Sequence, residues 1–459
     1  MTDHVSDLVI LGGGSAGYAA ALRAAELGRF VVLVEQDRLG GTCLHRGCIP
    51  TKALLHSAEV ADQVRAAASV GIGATLEGVD AEAVAAFRER IVAKKFAGLE
   101  GLVRARGITV VAGVGRLVVD ADGPAVAVGD DRYRGADVLL ATGSYTRTLP
   151  GLELAGRVIG SEQALALREV PASVIVLGGG VIGVEFASAW RSLGAEVTIV
   201  EALDHLVPVE DVAASKALER AFRKRGITAR LGARFASVSQ TDAGVTVTLE
   251  DGGQLSADYL MVAVGRGPAT AGMGFEEAGI ALDRGFVTVN ARLQTSVPHV
   301  WAAGDIVPGL QLAHRGFQQG IFVAEEIAGL NPVAVAEHTI PRITYSHPEV
   351  ASVGVTEEAA RAEHGDAVVA YEYNLAGNGR SEIIGTSGIV KVVRVADGPV
   401  LGVHLVGDRV GELITEGQLA VAWEAHPEDI APLLHAHPTQ SEALGEAFLA
   451  LAGKPLHAL

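Results

Sequence analysis

The stretch Leu8-Val9-Ile10-Leu11-Gly12-Gly13-Gly14-Ser15-Ala16-Gly17 decides the fold. An apolar run with the character of a buried strand ends in G-x-G-x-x-G, and the Ala-rich segment Tyr18 to Leu27 that follows reads as a helix. Gly28 stands where a helix C-cap is expected, Val31-Val32-Leu33-Val34 reads as a second strand, and Glu35 closes it. The first glycine permits a tight turn and the second lets backbone approach a pyrophosphate. The third lets helix pack on strand, and the phosphates rest at the positive end of that helix. The acid accepts hydrogen bonds from a ribose diol.

The pattern returns further along the chain. Val174-Ile175-Val176-Leu177 runs into Gly178-Gly179-Gly180-Val181-Ile182-Gly183, then a helical segment Val184 to Leu193, Gly194, the strand Val197-Thr198-Ile199-Val200, and Glu201. Glu35 and Glu201 each stand 23 residues beyond the first glycine of their copy. One such motif is weak, because a glycine-rich turn need hold no ligand. Two, each between strand and helix with an acid at the same distance, predict two dinucleotide-binding units. Behind Glu201 come Ala202-Leu203-Asp204-His205, with no Arg or Lys to receive a 2′-phosphate that a carboxylate repels. The second unit is therefore expected to prefer NAD to NADP.

The rest of the composition narrows the field. In 459 residues, 37 Lys and Arg stand against 54 Asp and Glu, a formal net charge of −17 that argues against nucleic acid or an anionic membrane as partner. Hydrophobic residues at 49% and charged residues at 20% exclude wholesale disorder. No uncharged run exceeds 15 residues, and one of that length, Val170 to Val184, includes Pro171; this is too short to span a bilayer that needs about 20. Met1-Thr2-Asp3-His4 lacks the basic region of a signal peptide, so a soluble, cytoplasmic protein is expected. The expected fold class is α/β, two Rossmann-like dinucleotide-binding domains plus a C-terminal α+β domain. Boundaries are expected at 1–148, 149–268, 269–338 and 339–459.

The two cysteines of the chain stand close together in Gly40-Gly41-Thr42-Cys43-Leu44-His45-Arg46-Gly47-Cys48-Ile49-Pro50-Thr51-Lys52. They follow Glu35 closely, so a ligand of the first unit lies near them. Three readings compete: buried bystander thiols, half of a metal site completed by His45 or His56, or a redox disulfide. Two lone thiols at C-x₄-C in a cytosolic protein favour the redox reading, and no metal is expected. In a regular helix, residues five apart are separated by about 8–9 Å between Cα atoms, beyond the roughly 7 Å a disulfide tolerates. A bond between them therefore requires a break in the helix, which Gly47 and Pro50 permit. Lys52, four residues after Cys48, lies on the same helical face and favours a thiolate; otherwise it is a solvated surface lysine.

A second cluster is His435-Ala436-His437-Pro438-Thr439-Gln440-Ser441-Glu442. Pro438 disfavours helix at His437 and is expected to start one just after it. Glu442 can then fold back onto one imidazole nitrogen and leave the other free as a base. Alone, the pair reads equally as a surface histidine with a capping acid. A third element is Thr295-Ser296-Val297-Pro298-His299-Val300-Trp301-Ala302-Ala303-Gly304-Asp305, a strand running into Gly-Asp. Ala141-Thr142-Gly143 and Ala263-Val264-Gly265 are similar strand ends.

Taken in order, these motifs cover the whole chain, and they resemble the class I pyridine nucleotide–disulfide oxidoreductases. Within that family the pattern is most similar to the branch that oxidises dihydrolipoamide. The resemblance implies FAD on the first unit, through Gly12, Gly14, Gly17, Glu35, Lys52, Gly113, Thr142, Gly143 and Asp305. Ala313 and His314 would open a helix facing the flavin. It implies NAD on the second unit, through Gly178, Gly180, Gly183, Glu201 and Gly265. Cys43 would be the interchange thiol and Cys48 the thiol beside the flavin, with Lys52 and Glu185 paired near it. His437 and Glu442 would come from the second subunit of a homodimer formed by the C-terminal dimerisation domain. Electrons would pass from dithiol to the Cys43–Cys48 pair, through FAD to NAD, and the dimer would serve the lipoyl domain of a 2-oxo acid dehydrogenase complex.

Two positions depart from the family's habit. His45-Arg46 replaces a frequent Asn-Val, and Gln311 replaces a frequent Met. Neither carries a bond-making role. A glutathione-type reductase would need a basic residue behind Glu201, a mercuric-type reductase would need further cysteines near the C-terminus, and a disulfide-free quinone reductase would lack Cys43 and Cys48. A purely structural subunit docked on a larger complex is the reading from a different class.

Overall fold

The computed structural model describes residues 3–457. Met1 and Thr2, on which the reading of the N-terminus partly rests, and Leu459 lie outside the described residues. The chain divides into two compact units. One comprises Met1–Ala53, Ala85–Arg147 and Arg266–Glu337; the other comprises Leu54–Val84, Thr148–Gly265 and His338–Leu459. The chain passes between the units at 147/148, 265/266 and 337/338, and Leu54–Val84 leaves its neighbours in sequence for the second unit.

In the first unit, the strand Asp3–Leu11 ends in four consecutive buried residues, Leu8 to Leu11, with no in–out alternation, as befits a strand covered on both faces. It pairs in parallel with Val31–Glu35 on one side and Asp131–Leu140 on the other. Thr109–Ala112 extends the sheet beyond Val31–Glu35, and the antiparallel strands Gly123–Val128 and Gly115–Asp120 extend the opposite end. Asp131–Leu140 shares one edge between two neighbours. Its first half pairs with Gly123–Val128 and its last three residues pair with Val300–Ala302. Between them Gly135 must be glycine, since a Cβ there would stand 2.3 Å from the Asp137 carbonyl oxygen. The helices Ser15–Glu26 and Ala313–Ile327 cross closely: a Cβ on Gly320 would lie 2.2 Å from the Ala16 carbonyl oxygen.

In the second unit the parallel sheet runs Thr228–Arg230, Glu196–Val200, Ser173–Leu177, Tyr259–Val262 and Val158–Ile159. The strands Phe235–Thr241, Gly244–Leu249 and Gln254–Ala257 form their own antiparallel sheet. The same unit holds a five-stranded antiparallel sheet ordered Arg342–Thr344, Glu349–Gly354, Val400–Gly407, Ile389–Val395 and Val368–Asn374. One apolar cluster joins this sheet to the helices Ile414–Ala422 and Glu442–Leu451 through Val403, Leu405, Ile414, Leu444 and Phe448. The second of these helices follows directly on the His437 segment. No helix among the described residues is long and apolar enough to cross a membrane.

Candidate active site

The two glycine turns have the same geometry. Gly12 and Gly178 adopt φ of +106° and +110°, and a Cβ on either would strike the carbonyl oxygen of Ala141 or Ala263 at 2.3 and 2.4 Å. Gly17 and Gly183 press on the carbonyl oxygens of Gly12 and Gly178, at 1.8 and 1.9 Å from where a Cβ would sit. By contrast, a Cβ on Gly14 or Gly180 would meet nothing within 4 Å. The outer glycines are thus fixed by packing, and the middle one leaves open space at a helix N-terminus, the shape that receives a pyrophosphate. The helices begin at Ser15 and Val181, three residues earlier than the sequence suggested, because the turn itself supplies their first residues.

The acids close each turn. Glu35 accepts hydrogen bonds from Gly13 N–H at 2.7 Å and Asp37 N–H at 2.8 Å. Glu201 accepts from Gly179 N–H at 2.6 Å and Leu203 N–H at 2.8 Å. A cleft of about 320 Å³ beside Glu35 is lined also by Arg38, Phe96 and Arg104. These features fit bound dinucleotides: shaped backbone, donors at the helix end, and a fixed carboxylate at the ribose position.

The thiol loop hangs from the first turn. Gly40 N–H donates to the Gly13 carbonyl at 2.8 Å, and a Cβ on Gly41 would lie 2.8 Å from Gly14 Cα. The helix Gly41–Arg46 carries Cys43 and stops at Gly47, and a new helix, Cys48–Ala66, carries Cys48 and Lys52. Gly47 (φ −137°, ψ −114°) makes the break, packed where a Cβ would be 3.4 Å from Cys43 Cα. The helix is interrupted as a cysteine pair at this spacing requires. The two cysteines lie within hydrogen-bonding reach of each other. The hydrogen bond to Cys48, then burial, then the charge of Cys48 push the Cys43 thiol well up, and Lys52 works the other way. Tyr18 faces the same pair: burial first, then the charges of Cys43 and Cys48, push it up to about 12. Nothing in the sequence singled out Tyr18.

His45 packs back on Leu39 and Phe96. Its Nε2 is 2.8 Å from the Leu39 carbonyl and its ring meets Phe96 edge-on, 5.0 Å between centroids. His56 lies 3.2 Å from Glu59. Among the described residues no group of three or more His, Cys, Asp and Glu side chains is gathered to hold a metal.

Other expected positions cluster in the first unit. Gly113 N–H donates to the Glu35 carbonyl at 2.9 Å. Thr142 Oγ1 donates to the Ala269 carbonyl at 2.6 Å, and the Gly143 carbonyl accepts from Ala269 N–H at 2.9 Å. Asp305, in the short turn Gly304–Ile306, accepts a 2.5 Å bond from Ser144 Oγ, a partner 161 residues away that the sequence did not reveal. Gln319, on the helix that Ala313 and His314 open, holds this turn by accepting from Gly304 N–H at 2.8 Å.

In the second unit, Gly265 has φ +109° with open space around it. Glu185 is buried and accepts from Tyr345 N–H at 2.9 Å. His437 Nδ1 lies 2.8 Å from Glu442 Oε1, while Glu442 Oε2 accepts from Thr439 N–H at 2.7 Å. His437 itself is 79% exposed, so its Nε2 is presented to solvent on this side. The expected helix after Pro438 starts instead at Glu442. Thr439 Oγ1 donates to the Ala436 carbonyl at 2.6 Å, folding the intervening residues into a turn.

A thiol pair anchored on one of two dinucleotide cradles defines a two-nucleotide disulfide oxidoreductase. Residues 6–320 match the family described as pyridine nucleotide-disulphide oxidoreductase, and residues 340–448 match its dimerisation domain. The chain belongs to this family, whose nucleotides are FAD and NAD. It is 39% identical to a dihydrolipoyl dehydrogenase of Bacillus subtilis over 98% of this chain and 99% of the relative. It is 38% identical to the dihydrolipoyl dehydrogenase of Thermus scotoductus, covering 99% of each. Among solved structures, LpdA from Mycobacterium tuberculosis superposes with a TM-score of 0.88 at 30% identity, over 98% of this chain and 100% of that one. The HOCl-induced flavoprotein disulfide reductase RclA from Escherichia coli gives 0.85 at 29% identity, over 96% and 99%.

Proposed function

We propose that the protein is a homodimeric flavoenzyme that oxidises dihydrolipoamide to lipoamide and reduces NAD+. What carries this reading is the 39% identity to a dihydrolipoyl dehydrogenase along nearly the full length of both chains, in a chain that keeps both thiols and both glycine cradles. Residues 1–148 and 269–338 form the FAD side, 149–268 the NAD side, and 339–459 the dimer interface.

Each part of the chain then has a task. Gly12, Gly14, Gly17, Glu35, Gly113, Thr142, Gly143, Asp305, Ala313 and His314 hold FAD. Gly178, Gly180, Gly183, Glu201 and Gly265 hold NAD, and the fixed Glu201 carboxylate repels a 2′-phosphate. When bound, the flavin supplies the two-electron relay between the thiols and the nicotinamide. Lys52 and Glu185 serve the flavin end, with Lys52 favouring negative charge on the thiols.

The thiol half is derived from the protein's own groups. Glu442 accepts the Nδ1 proton of His437, which fixes the tautomer and leaves Nε2 as the base. The partner subunit's His437 takes a proton from the dithiol, and the thiolate attacks Cys43 of the Cys43–Cys48 bridge. Cys48 leaves as thiolate. The second substrate sulfur then displaces Cys43, which leaves as a thiol with that sulfur's proton, giving lipoamide and the reduced pair. Two electrons have entered the protein, and they leave with one proton as NADH. The acid-rich surface and two-cysteine content support a cytoplasmic setting, and the lipoyl domain of a 2-oxo acid dehydrogenase complex is the proposed partner.

Anaerobic titration of the purified protein with dihydrolipoamide, followed by absorption, tests this reading. A long-wavelength thiolate–flavin band, then reduction of NAD+ but not NADP+, is the expected result. A flavoprotein that stays oxidised overturns the substrate and leaves the fold.

A further inference from the structure

Two residues before His437 stands a second imidazole–carboxylate pair. His435 Nε2 lies 2.7 Å from Glu416 Oε1, on the helix Ile414–Ala422. We propose that the Glu416–His435 pair is a positioning device that holds His437 in register with Glu442. The proposal rests on His437 being the base of the dithiol reaction.

The loop needs such a device. Between the helices Pro427–Ile430 and Glu442–Leu451 the chain has no regular structure, and Leu433 and Leu434 are 62% and 99% exposed within the single chain, so apolar burial inside the protomer does not anchor it. The part after His437 is tied down: Asn378 Nδ2 donates to the Thr439 carbonyl at 2.9 Å, and Gln440 Nε2 to the Asp408 carbonyl at 2.8 Å. The part before His437 is tied to the helix Ile414–Ala422 by the His435–Glu416 contact.

The ring is also wedged against the helix that carries Glu442. A Cβ on Gly445 would lie 2.6 Å from His435 Nδ1 and 2.9 Å from Cε1. Gly445 is therefore small because the imidazole occupies its side-chain space. His435 thus sits between Glu416 on one helix and the first turn of another, the turn whose first residue orients His437. A shift of His435 moves the base relative to its carboxylate.

The charges agree with this geometry. The hydrogen bond to Glu416 raises His435 above the usual imidazole value, against burial, with the Leu433 carbonyl and Glu442 adding to the rise. Glu442 is raised by burial, yet Thr439 N–H and His437, with His435 behind them, bring it below the ordinary carboxylate range. The titratable groups facing His435 are Glu416 and Glu442 from the two helices, and His437 from its own loop through Glu442. Tyr373, from the strand Val368–Asn374, reaches Glu442 and Glu446. As pH rises through the raised value, His435 loses its proton, and the bond to Glu416 loses its charge assistance. The clamp loosens on the alkaline side.

The test uses the flavin-loaded dimer carrying Glu416→Gln, with Glu416→Asp and Gly445→Ala beside it. Two activities are read against pH: dihydrolipoamide oxidation by NAD+, and NADH oxidation by ferricyanide, which bypasses the thiols. Glu416→Gln should lower the first kcat about tenfold, shift its alkaline limb to lower pH, and leave the second unchanged. Glu416→Asp should recover part of the rate, and Gly445→Ala should reproduce the loss by displacing the ring. An unchanged alkaline limb, or equal loss of both activities, overturns the proposal. His437→Gln in parallel separates the two readings: if it costs less than about tenfold in dithiol oxidation, the base assignment itself fails, whatever Glu416→Gln does.

Discussion

The two glycine-rich units are built to one plan through the acid and the return of the chain to the glycine turn, and differ after it. Both place the first and third glycines against main chain and leave the second open; both bind the acid through two N–H groups. In both the chain then returns to the middle glycine, through Gly40 N–H to the Gly13 carbonyl and Val207 N–H to the Gly179 carbonyl, each at 2.8 Å; only beyond that point does the first unit run on into the thiol loop. The meanders differ as well. In the first unit the antiparallel strands are merged into the parallel sheet through the long strand Asp131–Leu140. In the second, Gln254–Ala257 and Tyr259–Val262 are separated at Asp258, whose carboxylate takes Ala172 N–H at 2.8 Å and Ser173 N–H at 3.2 Å. The nucleotide cradle is set by short-range stereochemistry and repeats faithfully. What surrounds it is free to diverge.

The strongest way to test this equivalence is to fill the third glycine of each unit. Gly17→Ala and Gly183→Ala each put a methyl within 2 Å of a carbonyl oxygen, so main chain must move, at a cost of about 3 kcal/mol or more. Gly17→Ala should be isolated without flavin or fail to accumulate. Gly183→Ala should keep its colour and its reduction by dithiol but lose NAD+ turnover. Wild-type-like NAD+ turnover in Gly183→Ala would break the parallel.

A second difference lies in pH response. In the second unit, burial first, then Asp408, Glu412 and Glu59, push Glu349 up to about 7, while Gly411 N–H partly opposes them. A carboxyl whose value is higher folded than unfolded binds more protons when folded, so stability falls as pH rises through about 4.5 to 7. Glu349→Gln should raise Tm at pH 8.5, by an amount equivalent to ~1–2 kcal/mol allowing for partial exposure, and leave it unchanged at pH 4. The melting curves of the two proteins at those pH values decide it.

The acids sharpen the comparison further. Glu201→Gln removes charge assistance from two backbone bonds and should raise KM for NAD+ about tenfold, equivalent to about 1.4 kcal/mol. Glu35→Gln should weaken flavin retention by a similar factor, measured by dialysis against denaturant. An effect at only one site would show that the other nucleotide is held elsewhere. The smallest effect is expected on the first meander: Arg132→Ala breaks only the exposed pair with Asp120 at 2.9 Å and should leave Tm and both activities as they are.

How much of this is legible in sequence follows from the range of each interaction. The glycine turns, the acids and the interruption at Gly47 depend on residues within a few tens of positions, and their patterns are readable. The helix expected directly after Pro438 begins later, because the Thr439–Glu442 turn, rather than the proline, sets its start. Ser144 beside Asp305, Tyr18 beside the thiols and Glu416 behind His435 carry no local signature. They are brought together by strand order and helix packing, which a single chain of letters does not display. The interleaving of the units is of the same kind: Leu54–Val84 belongs to the second although it lies between segments of the first.

The shared edge of Asp131–Leu140 has a consequence during synthesis. Its neighbour Val300–Ala302 emerges from the ribosome 160 residues after Leu140. At about 5–20 residues per second this leaves an apolar strand edge uncovered for roughly 8–32 s, while the whole second glycine unit is being made. The first nucleotide unit, though begun first, is finished second. A nascent chain of this protein therefore carries an open sheet edge for about a third of its synthesis.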